Sequence, residues 1–157
     1  MRGRAAPACA TLVIVSGESE SWATYVRANA SVWQTPAVHP HSIGDARQWA
    51  REQLADQHVP EEAVIDAVLI VSELLTSVLR EAPGEAELTL LVEERLLTIT
   101  CADRDTAEIR SGTLDRTSAF GRSLALVDLM TRACFIRKRS GGGKRVIALL
   151  EVAASES

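Results

Sequence analysis

Few residues in this chain combine the type and the spacing needed for chemistry, and most of them lie between positions 73 and 123. Glu73 and Ser77 stand four apart in VIDAVLIVSELLTSVLREA, so at about 100° per residue they share a line with Asp66 and Arg80. Taken alone, that line reads as the solvated side of an amphipathic helix. Asp103 and Asp105 bracket Arg104 after an alternating apolar run. Ionised carboxylates are acceptors only, and the triplet also reads as a polar turn. Gly121-Arg122-Ser123 precedes an apolar run, where small residues let backbone N–H groups at a helix start approach an anion; alone the pair is a weak signal. Gly141-Gly142-Gly143-Lys144 imitates a phosphate loop, but Arg145 stands where Ser or Thr is needed and no strand-to-helix context surrounds it. It reads as a hairpin turn. His39 and His41 flank Pro40 without a third ligand in sequence, which leaves them as loop residues.

The elements that must position these residues follow from periodicity. Residues 64–82 carry no Gly or Pro, and Val64, Val68, Val71, Leu75, Val78 and Ala82, widened by Ala67, Leu74 and Leu79, form one apolar face. Pro60 suits the first helical position with Glu61 and Glu62 behind it, and Pro83-Gly84 ends the helix. Upstream, Ser42 and Asp45 resemble a capping box opening a helix to about residue 57, with Ile43, Ala46, Ala50 and Leu54 inward. Downstream, residues 87–92 and 96–102 form a hairpin around Glu93-Glu94-Arg95. A long polar stretch, 103–120, leads to a helix over 122–131 and a final hairpin pairing 134–137 with 146–152. At the beginning, residues 11–15 read as a strand, 18–30 as a helix with Trp22, Tyr25 and Val26 on one side, and 31–38 as an edge strand. This order predicts an α+β domain with helices packed on one face of a mixed β-sheet. The domain is expected to span residues 31–152, with an N-terminal extension, 1–30, and a short tail, 153–157.

Composition bounds the function classes. At 157 residues the chain suits a single core, and with 46% hydrophobic and 24% charged residues it has the balance of a globular domain. No apolar run approaches the 18 residues of a membrane span, so no membrane partner is expected. A net charge of −4 argues against a general polyanion binder. Arg132, Arg137, Lys138, Arg139, Lys144 and Arg145 do form a basic run, but Phe135 is its single aromatic, so a solvated hairpin is expected there before a nucleic-acid surface. Cys9, Cys101 and Cys134 show no Cys-x-x-Cys spacing, and a reducing cytoplasm is the simplest setting. The start, MRGRAAPACATLVIVSGE, imitates a signal peptide, yet Pro7 interrupts it and its strongly apolar part is only residues 12–15.

The string SELLTSVLREA resembles the N-box helix of the GHKL (Bergerat-fold) ATPases, most closely that of small actinobacterial ATP-binding proteins related to the anti-sigma-factor serine kinases. The element order over residues 43–152 matches as well. The resemblance implies a histidine-kinase-like ATPase fold with ATP and Mg²⁺ as cofactors. It implies Glu73 as general base, Ser77 at the metal position that an Asn normally fills, and Asp103 at the adenine amino group. The family's Gly-x-Gly-Leu-x-Leu-Val motif stands as Gly121-Arg122-Ser123-Leu124-Ala125-Leu126-Val127. Three positions depart: Ser77 for Asn, Asp105 where Gly or Ser is usual, and Ser123 for the second glycine. Each removes or opposes a phosphate contact. The expected function is therefore that of a cytoplasmic regulatory protein with a degraded ATP site, binding a protein partner that the resemblance suggests is a sigma factor or an anti-sigma antagonist. An active ATP- and Mg²⁺-dependent protein serine kinase and a nucleic-acid binder remain as alternatives. The stretch 103–120 corresponds to the family's nucleotide lid. Trp22, Tyr25 and Trp33 concentrate aromatic surface near the beginning, either for docking a partner or a second copy in a homodimer, or for covering the chain's own domain.

Overall fold

A computed structural model describes residues 12–15, 20–81, 83–104, 119–139 and 142–153. Their elements run β1 (Leu12–Val15), α1 (Glu20–Asn29), β2 (Ser31–Thr35), α2 (Pro40–Asp56), α3 (Glu61–Glu81), β3 (Ala86–Glu93), β4 (Leu96–Asp103), α4 (Ala119–Met130), β5 (Ala133–Lys138) and β6 (Lys144–Glu151). The strands make one six-stranded sheet in the order β1-β5-β6-β4-β3-β2. β1 runs parallel to β5 and every other pairing is antiparallel, so the sheet is mixed and the fold is α+β.

Strand alternation sends neighbouring side chains to opposite faces. One face aligns Leu88, Cys101, Val146 and Ile136 across four strands, with Leu90, Ile99, Ala148 and Cys134 in the next row. All eight are buried in the main core, together with Leu54, Ile70, Leu75, Leu124 and Val127 from α2, α3 and α4. These three helices thus lie on one face, with α3 at the centre, packed against α2, α4, β3, β4 and β6.

That central position corrects the expected polar line on α3 at Ser77, while Asp66 and Glu73 are half-buried and Arg80 is exposed. A helix flanked on two sides and floored by a sheet buries more than one stripe, and Ser77 is only 5% exposed, on the same stripe as Ile70 and Leu74. Ile65 and Leu69 are exposed instead, at 59% and 41%. The start of α2 differs too. His39 is the N-cap, Pro40 takes the first helical position, and Ser42 is the reciprocal partner of the capping box, accepting from the His39 backbone N–H at 3.0 Å. Ser and Asp fit the capping role by type, but Pro40 sets the start one turn earlier than Ser42. The Pro60 carbonyl accepts from the Val64 N–H, which puts Pro60 just ahead of α3.

The second face carries Thr89, Leu91, Thr100, Ala102, Arg145 and Ile147, all buried. Thr89 and Thr100, opposite each other, share a hydrogen bond. α1 lies over this face. The Trp22 ring stacks with Arg137 and Arg145, whose guanidinium carbons stand 5.9 and 6.0 Å from its centre, Tyr25 donates to the Glu93 carboxylate, and Val26 is 3% exposed. Because β1 and β2 occupy opposite edges of the sheet, the β1–α1–β2 connection must cross about 24 Å of strand spacing. The ten-residue helix supplies about 15 Å of it.

Candidate functional site

Packing of α3 against α4 brings three of the residues singled out by type and spacing together. Ser123, 5% exposed on α4, donates its hydroxyl to the Glu73 carboxylate at 3.0 Å. Ser77 lies one turn beyond Glu73 on α3, and its buried Oγ has no hydrogen-bond partner among the described residues. Gly121 is already inside α4, which opens at Ala119, earlier than the apolar spacing suggests. A glycine within a first helical turn costs only about 1 kcal/mol, so the sequence carries no stop signal there. Gly121 and Ser123 therefore belong to helix backbone rather than to a loop leading into it.

Asp103 ends β4 where the alternating run predicts, but it is 2% exposed and its carboxylate accepts from the Lys144 ammonium at 2.9 Å, itself in a side chain 5% exposed. Register is the cause. β4 and β6 pair antiparallel with Asp103 opposite Lys144, so both side chains emerge on the helix-covered face. The β5–β6 turn closes over the same spot. Gly142 and Gly143 hold φ of +104° and +94°, and a Cβ on Gly143 would stand 2.0 Å from the Asp103 carbonyl oxygen. Arg139 then donates to that carbonyl at 2.9 Å. Gly142 and Gly143 lie in a hairpin turn, and the work of Gly143 is close approach to the end of β4.

The basic run 132–145 is not the solvated hairpin expected from composition. Lys144 and Arg145 are 4% and 6% exposed, Arg137 stacks under Trp22, and Arg132 pairs with Glu151 at the surface at 3.1 Å. Alternation explains the split, since successive residues of β6 go to opposite faces, each already covered. Burial also governs the thiols. Cys101 and Cys134, both free, are pushed up to about 12 by loss of solvent around the thiolate. Buried Asp128, on α4 near Cys134, is likewise raised by desolvation. Cys9 and residues 105–118, which include Asp105 and most of the expected lid over 103–120, lie outside the described residues; the two ends of that stretch belong to β4 and α4.

Among the residues not anticipated, Lys144 matters most, since type alone placed it in a turn. Its signal was the pairing of an acidic strand end with the first residue of the last strand, legible only once the register is known. Compared with known proteins, the chain matches no family model, and no curated protein matches it significantly. Among the described residues, no helix is long and apolar enough to cross a membrane.

Proposed function

We propose that this chain is a regulatory protein on a scaffold resembling the anti-sigma-factor serine kinases, acting by binding a protein partner and not by ATP turnover. The observation that carries the reading is the buried Asp103–Lys144 ion pair. A carboxylate that accepts from an adenine amino group must be uncommitted and open to the ligand; this one is sealed and faces a lysine. Ser77 supports it, because a metal ligand must reach an open coordination sphere of oxygens, and its hydroxyl is buried in a residue only 5% exposed. Ser123 supports it as well, because its hydroxyl hydrogen-bonds the one carboxylate, Glu73, that the resemblance casts as a base. These residues do not fit Mg–ATP, and no catalytic step is assigned to them. The partner, a sigma factor or its antagonist by resemblance, would meet the protein in the cytoplasm.

Calorimetric titration with ATP, with and without Mg²⁺, tests the reading. Loss of about 1–3 kcal/mol at each of two or three contacts moves a micromolar site to millimolar or weaker, so no saturable binding is expected at micromolar ATP. Low-micromolar affinity would overturn it.

A further inference from the structure

On the second face, one row of residues crosses five strands: Gln34, Glu87, Ala102, Arg145 and Arg137. Ala102 is the smallest of the five, and above it opens a cleft of about 510 Å³. Arg27, from the last turn of α1, Arg104, just past β4, and Arg139, just past β5, line it together with Glu85 and Glu87. The volume lies within the range of small-molecule sites. None of these residues belongs to the Glu73–Ser123 cluster.

The arginines are placed differently. Arg104 is matched by Glu85, whose carboxyl it holds below the usual range through their hydrogen bond. Glu87 accepts from the Gln34 amide at 2.6 Å. Arg139 is fixed at one edge by its bond to the Asp103 carbonyl and by a turn whose backbone closes through Arg139 N–H to Gly143 O at 3.0 Å. Arg27 is exposed and makes no ion pair among the described residues. Three guanidiniums against two carboxylates leave the lining positive in a chain whose net charge is −4. A planar guanidinium held along one edge keeps the other for a forked contact with a carboxylate or phosphate.

We propose that this cleft binds a small molecule carrying a phosphate or carboxylate oxyanion, gripped by Arg27 and Arg139, with Glu87 accepting hydrogen bonds from the ligand's hydroxyl or ammonium groups. The site goes beyond the regulatory reading above and does not depend on it. It also gives α1 a task, because the helix brings one of the two gripping arginines across the sheet.

The test is titration of the full chain with inorganic pyrophosphate and, separately, with citrate at constant ionic strength, followed by NMR of backbone amides and arginine Nε–Hε groups. Saturable binding with Kd below about 1 mM is expected, with shifts centred on Arg27, Ala102 and Arg139. Whichever oxyanion saturates first separates a phosphate ligand from a carboxylate one. Arg27→Ala, at an exposed side chain, should weaken binding about tenfold, whereas Arg47→Ala on the exposed side of α2 should leave it unchanged. Absence of saturation by either anion up to about 10 mM, or equal weakening by Arg27→Ala and Arg47→Ala, would overturn the proposal. Low-micromolar ATP affinity that persists in Arg27→Ala would count against the regulatory reading and not against this cleft, so the two readings fail separately.

Discussion

Lys144 and Asp103 carry charge in side chains only 5% and 3% exposed, and the consequence is asymmetric. Removing one partner of a buried pair takes the opposite charge away from the other, so Lys144→Ala is expected to cost about 3–5 kcal/mol. Replacing both, as Asp103→Leu with Lys144→Met, should recover most of that loss, and urea melts of the single and double variants measure the difference. If the double variant were as unstable as the single one, the ion pair would not be the cause. The two buried thiols give a prediction in pH. An unfolded chain ionises its cysteines near 9.0, but the folded one holds the Cys101 and Cys134 protons up to about 12. The stability contribution is therefore complete below pH 9 and is lost as pH rises from 9 towards 12. Denaturation midpoints at pH 8, 9.5 and 11 should fall steadily, and Cys101→Ala with Cys134→Ala should flatten the alkaline slope.

Elements show why glycines of one type are not equivalent. Gly143 combines a φ of +94° with no room for a Cβ, so Gly143→Ala should destabilise by at least about 1–3 kcal/mol and loosen the contact between Arg139 and the Asp103 carbonyl. Gly44 is the opposite case. It lies within α2, and a Cβ there would meet nothing within 4 Å, so Gly44→Ala should stabilise by about 0.5–1 kcal/mol. Thermal denaturation of the two variants side by side checks both signs. The breadth of burial on α3 belongs to this scale as well: with α2 and α4 on either side, the helix presents Ile65 and Leu69 to solvent and takes Ser77 inside.

Across the whole molecule, the N-terminal segment does what a covering layer does. β1 adds to the sheet edge beside β5, and α1 seals a face that carries Leu91, Ile147 and Arg145. Of the aromatics expected either to dock a partner or to cover the chain's own domain, Trp33 packs against the main core and Trp22 stacks on two arginines. Deleting residues 1–30 should therefore cost about 3 kcal/mol or more and expose apolar surface that drives self-association. Melting temperature and mass by light scattering report both effects. A truncated protein with unchanged melting temperature and mass would show that the second face needs no cover.

Much of the architecture was legible in the residues themselves. A 3.6-residue period over α3, strict alternation in β4 and proline-glycine punctuation specify which segments become helix, strand and turn, because those patterns depend only on local geometry. Their order then leaves few ways to cover a sheet, and the α+β arrangement follows. The residue types at Glu73, Ser77, Asp103, Gly121 and Ser123 marked the places where chemistry was conceivable. What those residues touch was not legible. Periodicity reports how many sides an element has and not which neighbours cover them, so it places Ser77 on a solvated line, whereas α2 and α4 flank α3 and Ser77 is buried. Charge reports attraction without a partner. Only the β4–β6 register sets Lys144 against Asp103 and sends Arg145 to the other face, and a shift of one residue would have exchanged them.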